Sequence, residues 1–458
     1  MAKLVSTNPA KNYKKLGEVD ISTQDEIKSK VQKANSAKKK WRNLGIEGRI
    51  KLLRRIVDKF KENKEKLALL ETQEMGMPIT QSRLDVEDAI RYFGWYLDNA
   101  SKYLSPEITY QDGKIIHKVF YEPLGIAAVI IPWNFPASNF VWGCGQNLIA
   151  GNTVVLKHSE ECPLFGKLLE KIINNCALPD GVFNEVYGNG EIGDYLVHQD
   201  INLISFTGST KIGKYLYKVA GEKFIKAVLE CGGSAPGIVF ADANLDQVID
   251  VIYGNRFTNC GQMCDALKRL IVHKSVFDEV VERLKKKLAS LKVGDPEEEV
   301  TDIGPLVAKR QLELLEKQIK DAIDKGAKIV IGGKRPRNLQ GAYYEPTILT
   351  NISKDMRVWQ EEVFGPVLPV VAFNTDEEAI RMANDTKYGL GSHVYTNDKK
   401  KALEIASQID AGMVSVNTAS YNQPCSPFGG YKDSGIGREH GKFGFAEVTQ
   451  VKVVAIDS

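Results

Sequence analysis

Five short apolar runs, Ile126–Ile131, Thr153–Leu156, Val182–Val186, Leu203–Phe206 and Ala227–Leu229, follow one another with stretches of helical character between them. Strands buried in a parallel sheet read as short continuous apolar runs, so this alternation predicts a parallel sheet covered by helices. After Gly232-Gly233 the alternation starts again, with strands near Gly237–Phe240, Arg269–His273 and Lys328–Ile331 and a helix opening at Ser275 through Phe277, Val280, Val281 and Leu284. The chain is therefore read as two successive α/β domains.

Upstream of the first run, Thr23-Gln-Asp-Glu26 is a capping box followed by Ile27, Val31 and Ala34, and a second helix carries Leu52, Leu53, Ile56, Val57 and Phe60. Segment Ile108–Tyr121, with its turn signal Asp112-Gly113, interrupts the series as a hairpin and reads as an arm. Val451–Ala455 reads as one more strand with no partner nearby in sequence. A chain of 458 residues favours two or three domains, and pattern changes place the boundaries near 230 and 420.

Composition closes off several function classes. Hydrophobic residues make up 43% and charged residues 26%, the balance of a soluble globular protein and not of a disordered or fibrous one. Sixty-one basic residues face 58 acidic ones, a net +3 that predicts no nucleic-acid partner. Seven scattered cysteines argue against a disulfide framework, and six histidines without ligand spacing give no metal site. Met1–Lys15 is polar, and the longest apolar stretch stops at Pro132, so neither a signal nor a membrane span is expected and the cytoplasm is the expected compartment.

Five segments could carry chemistry. Gly188-Asn-Gly190-Glu-Ile-Gly193 lies between strand and helix and reads either as a dinucleotide fingerprint or as a plain turn. Phe206-Thr-Gly208-Ser209-Thr-Lys-Ile-Gly213 is a second strand-to-helix junction with free N–H groups for an anion. Asn259-Cys260-Gly261-Gln262-Met263-Cys264 is a glycine-containing turn whose thiols are either reactive or small buried hydrophobes. Glu230, ahead of Gly232-Gly233, ends a strand at a ligand crevice as a general base or as a surface acid, and Asn134, between Pro132 and Pro136, is an oxyanion donor or part of an ordinary turn.

Together these segments resemble the NAD(P)-dependent aldehyde dehydrogenase superfamily, closest to its short bacterial succinate-semialdehyde dehydrogenase branch. The resemblance rests on Pro132-Trp-Asn-Phe-Pro136, Lys157-His-Ser-Glu160, Phe206-Thr-Gly-Ser-Thr210, Leu229-Glu-Cys-Gly-Gly233, Gly261-Gln-Met-Cys264, Glu361-Glu-Val-Phe-Gly-Pro366 and Ser426-Pro-Phe-Gly-Gly-Tyr-Lys432, in order along the chain. It implies a Rossmann-like cofactor domain over 1–107 and 122–230, an α/β catalytic domain over 231–420, and a small β oligomerisation arm or bridge from 108–121 and 421–458. It also implies homodimers or homotetramers.

By the same resemblance, Cys264 attacks a small-molecule aldehyde, Asn134 and the Cys264 N–H hold the oxyanion, and Glu230 activates the water that releases the acid. Trp133, Lys157, Glu160, Gly208, Ser209, Gly213, Glu362 and Phe364 match cofactor-binding positions for NAD, with NADP as the alternative, and the Gly188–Gly193 segment becomes a neighbouring turn. Phe135, Trp142 and Phe428 are implied as aromatic walls of the substrate tunnel, with Ser138, Asn139, Asp265, Ser420 and Asn422 as polar contacts. His158 replaces the usual proline, Ser234 follows the glycine pair, and Gly143 stands where longer succinate-semialdehyde enzymes have an arginine. Succinate semialdehyde or another small aldehyde is the expected substrate. The rival readings are a CoA-acylating enzyme, which needs no water-activating carboxylate, and an inactive structural protein on the same fold.

Overall fold

The computed structural model describes residues 2–457, and among them five sheets form. The chain opens with a hairpin, β1 (Lys3–Asn8) and β2 (Lys14–Asp20), followed by helices α1 (Gln24–Asn43), α2 (Gly45–Glu62), α3 (Lys64–Met75) and α4 (Ile79–Leu104). Thr23 Oγ1 accepts the Glu26 N–H at 3.1 Å, and the Glu26 carboxylate accepts from the Thr23 backbone, so the capping box starts α1 as read. The stripe Ile27, Val31, Ala34 is buried among residues of the first sheet. The opening hairpin has no signature in the sequence because its strands are largely solvated, with Val19 its one buried apolar strand residue.

The arm is β3 (Glu107–Gln111) and β4 (Ile115–Pro123), turned at Gly113 (φ +86°), with Asp112 Oδ1 accepting the N–H groups of Lys114 and Ile115 at 3.0 Å each. Next come β5 (Ile126–Ile130), α5 (Pro136–Phe140), a π turn at Val141–Gly145, α6 (Gln146–Ala150), β6 (Thr153–Lys157), α7 (Pro163–Asn174), β7 (Phe183–Val186), α8 (Gly190–Val197), β8 (Leu203–Thr207), α9 (Thr210–Lys223) and β9 (Lys226–Glu230). These strands pair in parallel in the order β9-β8-β5-β6-β7. The order reverses between β5 and β8, and in open α/β sheets the crevice beyond the strand ends at such a reversal is where ligands bind. Trp133, Asn134, Lys157, Gly208 and Glu230 all follow or end strands of this sheet.

The chain then crosses to a second sheet with β10 (Ala235–Val239), α10 (Leu245–Phe257), β11 (Leu267–His273), β12 (Lys328–Ile331), β13 (Thr347–Thr350), β14 (Val367–Phe373), β16 (His393–Tyr395) and β17 (Ser415–Val416), with a short β15 (Tyr388–Gly389) lying outside it. Its order is β12-β13-β14-β11-β10-β16-β17, antiparallel at β12/β13 and parallel elsewhere. One large apolar cluster lies beneath α2–α4 and the first sheet and another fills the second domain.

The segment 421–458, expected as part of the bridge, divides. β18 (Tyr431–Lys432) pairs with β15, β19 (Gly435–Ile436) pairs antiparallel with Glu230 and Leu229 at the edge of the first sheet, and β20 (Thr449–Asp457) alone joins the arm, in nine pairs with β4. Two-residue strands leave no apolar run to detect. Glycines at 429, 435 and 437 (φ +149°, +148° and +87°) let the backbone weave between the domains. No helix among the described residues is long and apolar enough to cross a membrane.

Candidate active site

Past the end of α10 the backbone takes three successive left-handed residues, Asn259 (φ +51°), Cys260 (+54°) and Gly261 (+73°). Two of the three are not glycine, and non-glycine residues persist there only where surrounding contacts over-determine them. The Asn259 N–H donates to Gln81 Oε1 at 2.7 Å, Asn259 Nδ2 to the Asn134 carbonyl at 2.7 Å, Gln262 Nε2 to the Asn259 carbonyl at 3.2 Å, and the Val307 N–H to Gln262 Oε1 at 3.0 Å. The turn buries Cys260 and leaves Cys264 partly exposed. Gln81, Asn259 and Gln262 have no role in the sequence reading; side-chain amides flanking a cysteine in a glycine turn were the available signal.

Asn134 is buried, its Nδ2 donating to the Gln262 carbonyl at 3.0 Å and its Oδ1 accepting from Asn139 at 3.4 Å. Those bonds fix which way the amide faces and leave one of its two protons uncommitted. Asp85 Oδ2 holds the following helix start, accepting the N–H groups of Ala137 and Ser138 at 3.1 and 3.4 Å. Asp85 lies against Glu71, and burial pushes both carboxyls up, Asp85 to about 6.

Glu230 ends β9 fully enclosed, and neither carboxylate oxygen has a hydrogen-bond partner among the described residues. Burial, then the nearby Glu439, raises its carboxyl well above the usual range, with Arg438 opposing. A Cβ at Gly429 would lie 2.7 Å from its Oε1, and one at Gly233 would lie 2.7 Å from the Cys264 carbonyl oxygen, so both glycines are there for close approach. The Gly233 N–H donates to Glu362 at 3.2 Å. Burial, then Asp265, raises the Cys264 thiol, Lys268 lowers it, and Glu362 and Glu230 are close enough to raise it too.

The expected cofactor residues line the strand ends. Trp133 meets Phe364 edge-on with centroids 5.6 Å apart. Lys157 Nζ donates to the His158 carbonyl at 3.1 Å and to Glu160 at 3.3 Å, leaving one of its three protons free. Ser209 caps α9 without a side-chain bond, so the first N–H groups of that helix stay open to an anion, and the Gly208 N–H donates to the Glu230 carbonyl at 2.9 Å. A Cβ at Gly213 would lie 2.5 Å from Cys231 Sγ, so only glycine lets α9 pack this close to the sheet. A pyrophosphate-containing dinucleotide fits this cradle. In the Gly188–Gly193 segment Asn189 caps α8, and Gly193 faces the stem of Lys157, so this turn borders the same cleft. His158, in place of proline, pairs through Nδ1 with the buried Glu185.

Among the residues expected on the substrate side, Trp142 stacks on Phe428 at 6.3 Å and approaches His440 at 5.5 Å and Tyr92 at 5.9 Å. Phe428, Leu390 and Met413 form a small apolar cluster with Cys264 and Tyr421. Asp265 accepts from the Tyr421 hydroxyl at 3.2 Å, and burial raises its carboxyl while Asn422 opposes. Phe135 packs against the first domain's core, as Trp142 does. The structure adds detail at Ser138 and at Gly143. The Ser138 hydroxyl is spent on the Asp85 carbonyl at 3.2 Å, because the start of α5 turns it inward. A side chain at position 143 would start 2.7 Å from Val129 Cγ1, so an arginine there would run into β5. Among the described residues no group of three or more His, Cys, Asp or Glu is placed to hold a metal ion.

The aldehyde dehydrogenase family profile matches residues 2–454. An aldehyde dehydrogenase-like protein of Schizosaccharomyces pombe is 41% identical over 420 residues, covering 91% of this chain and 83% of its own. The NADP(+) succinate-semialdehyde dehydrogenase of Escherichia coli is 35% identical over 454 residues, 98% of this chain and 93% of its own. The crystal structure of betaine aldehyde dehydrogenase from Staphylococcus aureus with NAD+ superposes with a TM-score of 0.95 at 33% identity, covering 99% of this chain and 91% of that one. Matched along nearly its whole length in sequence and in fold, the chain belongs to the aldehyde dehydrogenase family and is an enzyme that oxidises aldehydes with NAD(P).

Proposed function

We propose that the chain oxidises a small aldehyde to its carboxylic acid at Cys264, with water as the final acyl acceptor. The thiolate of Cys264 adds to the carbonyl carbon, and the oxyanion that forms is met by the free Asn134 Nδ2 proton and the Cys264 N–H. Donors fixed in advance at the place where charge develops stabilise the transition state most. Trp133, Lys157, Glu160, Gly208, Ser209, Gly213, Glu362 and Phe364 would hold the dinucleotide, which supplies the hydride acceptor. Loss of hydride from the thiohemiacetal leaves a thioester on Cys264. Glu230 then takes a proton from water, which adds to the thioester carbonyl and expels the thiolate with the acid as product.

The observation that carries this reading is Glu230, a buried carboxylate with no partner for either oxygen among the described residues. Such a group is costly to keep unless a ligand or a reaction uses it. It also favours hydrolysis over transfer to CoA. A panel from glycolaldehyde to succinate semialdehyde, butanal and benzaldehyde, followed by reduced-cofactor absorbance with and without CoA, tests it. Turnover that requires CoA, or no turnover at all, overturns it. The resemblance to the succinate-semialdehyde branch makes that aldehyde the first to try.

We further propose that the chain forms homodimers or homotetramers through its arm. Val451, Val453, Val454 and Ile456 of β20 and Ile108, Tyr110 and Ile115 beside them are exposed on a three-stranded sheet. Exposed apolar edge strands of this length call for a partner surface.

A further inference from the structure

Lys268 lies in β11 with 0% of its surface exposed. An ammonium has three donors and, out of water, needs three acceptors. The fold supplies three: the Gly233 carbonyl at 2.8 Å, the Cys264 carbonyl at 3.0 Å, and the Glu362 carboxylate. They come from the exit of β9, the nucleophile turn and the segment ahead of β14, three parts of the chain far apart in sequence. The Phe364 ring adds a face 5.3 Å from the charge. Three acceptors converging on one nitrogen suit a tetrahedral ammonium and not the planar fork of arginine.

We propose that Lys268 is a positioning residue that ties the Cys264 turn to the Glu362 carboxylate, so that the nucleophile and the cofactor-side carboxylate are set by one buried cation. This rests on the reading of Cys264 as nucleophile and Glu362 as cofactor ligand. The arrangement carries an electrostatic consequence. The charged groups facing the Cys264 thiol are Asp265, Lys268, Glu362 and Glu230, and Lys268 alone among them favours the thiolate. Glu362, by neutralising Lys268, holds that effect in check.

The test is alkylation of Cys264 by iodoacetamide in the intact protein, followed by mass spectrometry across pH, with Cys264→Ser as the blank. Lys268→Met keeps length and volume but has neither charge nor donors; its alkylation midpoint is expected to rise by about one pH unit, roughly a tenfold slower reaction at a fixed pH below it. Glu362→Gln frees the ammonium and is expected to move the midpoint down. A loosened fold would shift both variants the same way, so opposite signs mark the link. NAD+ affinity, read by quenching of tryptophan fluorescence, is expected to fall several-fold in Lys268→Met because Glu362 keeps only the Gly233 N–H as a donor of the two that hold it. Unchanged midpoints, or shifts of equal sign, overturn the proposal. If Lys268→Met does not fold, Lys268→Gln, which keeps a donor but carries no charge, takes its place: a higher midpoint supports the link, and an unchanged or lower one rejects it. A Cys264→Ser protein that still oxidises aldehydes defeats the reading of the site itself, a result independent of Lys268.

Discussion

The Asn134 side chain donates across 3.0 Å to the carbonyl of Gln262, two residues before Cys264, and so joins the turn after β5 to the nucleophile turn of the second domain. The same amide is the proposed oxyanion donor, which makes its loss a catalytic defect before it is a structural one. Asn134→Ala is expected to lower kcat by ~10²–10³ with a smaller change in KM, the signature of a lost transition-state contact. Cys264→Ala should abolish oxidation with cofactor binding intact. Cys231→Ser and Cys260→Ser should stay active, since both thiols are buried while Cys264 is partly exposed. A loss in either that matches Cys264→Ala would place the chemistry on the wrong sulfur.

Glu230 must be deprotonated to act as a base, and burial together with Glu439 raises its carboxyl, so deacylation should quicken as pH rises. Glu230→Gln is expected to give a rapid burst of reduced cofactor followed by slow turnover; equal slowing of both phases contradicts the role. Glu439→Gln removes a neighbouring negative charge and should move the acid limb of the wild-type profile to lower pH.

Glu439 also yields a stability prediction of its own. Burial pushes its carboxyl up to about 7, so between its unfolded value near ~4.5 and about 7 the folded state holds more protons than the unfolded state. Stability therefore falls as pH rises through that window, by on the order of 3 kcal/mol for this group. Urea midpoints at pH 5 and pH 8 should lie closer together in Glu439→Gln than in wild type. An unchanged gap would show that Glu439 titrates alike in both states.

How far the sequence carried the reading depended on whether a feature was local. The runs at Ile126, Thr153, Val182, Leu203 and Ala227 are all strands of one sheet, and the capping box at Thr23 starts its helix, because burial patterns and cap chemistry act within a few residues. Cys264, Asn134 and Glu230 stood out as types placed at strand ends or in a turn. What could not be read was the set of contacts between distant segments. Gln81 supports Asn259 across 178 positions, Lys268 reaches Glu362 across 94, and Gly435 pairs with Glu230 from the far end of the chain. None of these has a periodicity or a motif. The hairpin at Lys3–Asp20 escaped for another reason, since its strands bury too little apolar surface to show a pattern.

Asp265 stands next to the nucleophile, and Lys268, the nearest buried cation in sequence, is committed to Glu362 and two carbonyls. An aldehyde with its own carboxylate is therefore expected to meet repulsion there. At ~10 Å and an effective dielectric of ~20, like charges cost about 1.7 kcal/mol, more than tenfold in rate. Asp265→Asn is expected to raise kcat/KM for succinate semialdehyde over that for butanal by roughly tenfold. The ratio matters because losing Asp265 also eases thiolate formation for every aldehyde. An unchanged ratio would show that Asp265 does not face the substrate.

Val451 and Val453 are 70% and 61% exposed on β20, a strand that pairs with β4 but covers no core of its own. Val451→Asp with Val453→Asp should leave the β20–β4 backbone ladder in place and make burial against a second subunit unfavourable. Sedimentation is expected to show a dimer or tetramer in wild type and a monomer in the double variant. A wild-type monomer removes the arm from any role in assembly.

The preference between cofactors turns on Glu160 and Lys157. A carboxylate at the adenosine ribose accepts from the ribose hydroxyls and repels a 2′-phosphate, whose charge needs a free cation. Lys157 is the cation at hand, but burial lowers its pKa and its Nζ is already bound to Glu160 and the His158 carbonyl. Burial works against the ionised Glu160, yet Lys157 lowers its pKa overall, so the carboxylate is negative at neutral pH. NAD should therefore be preferred over NADP. Glu160→Ala removes the repulsion and frees Lys157 in one step, and is expected to narrow the preference by about tenfold, measured as the ratio of kcat/KM values for the two cofactors. A wild-type ratio that favours NADP, or one that Glu160→Ala leaves unmoved, would show that this carboxylate does not read the ribose.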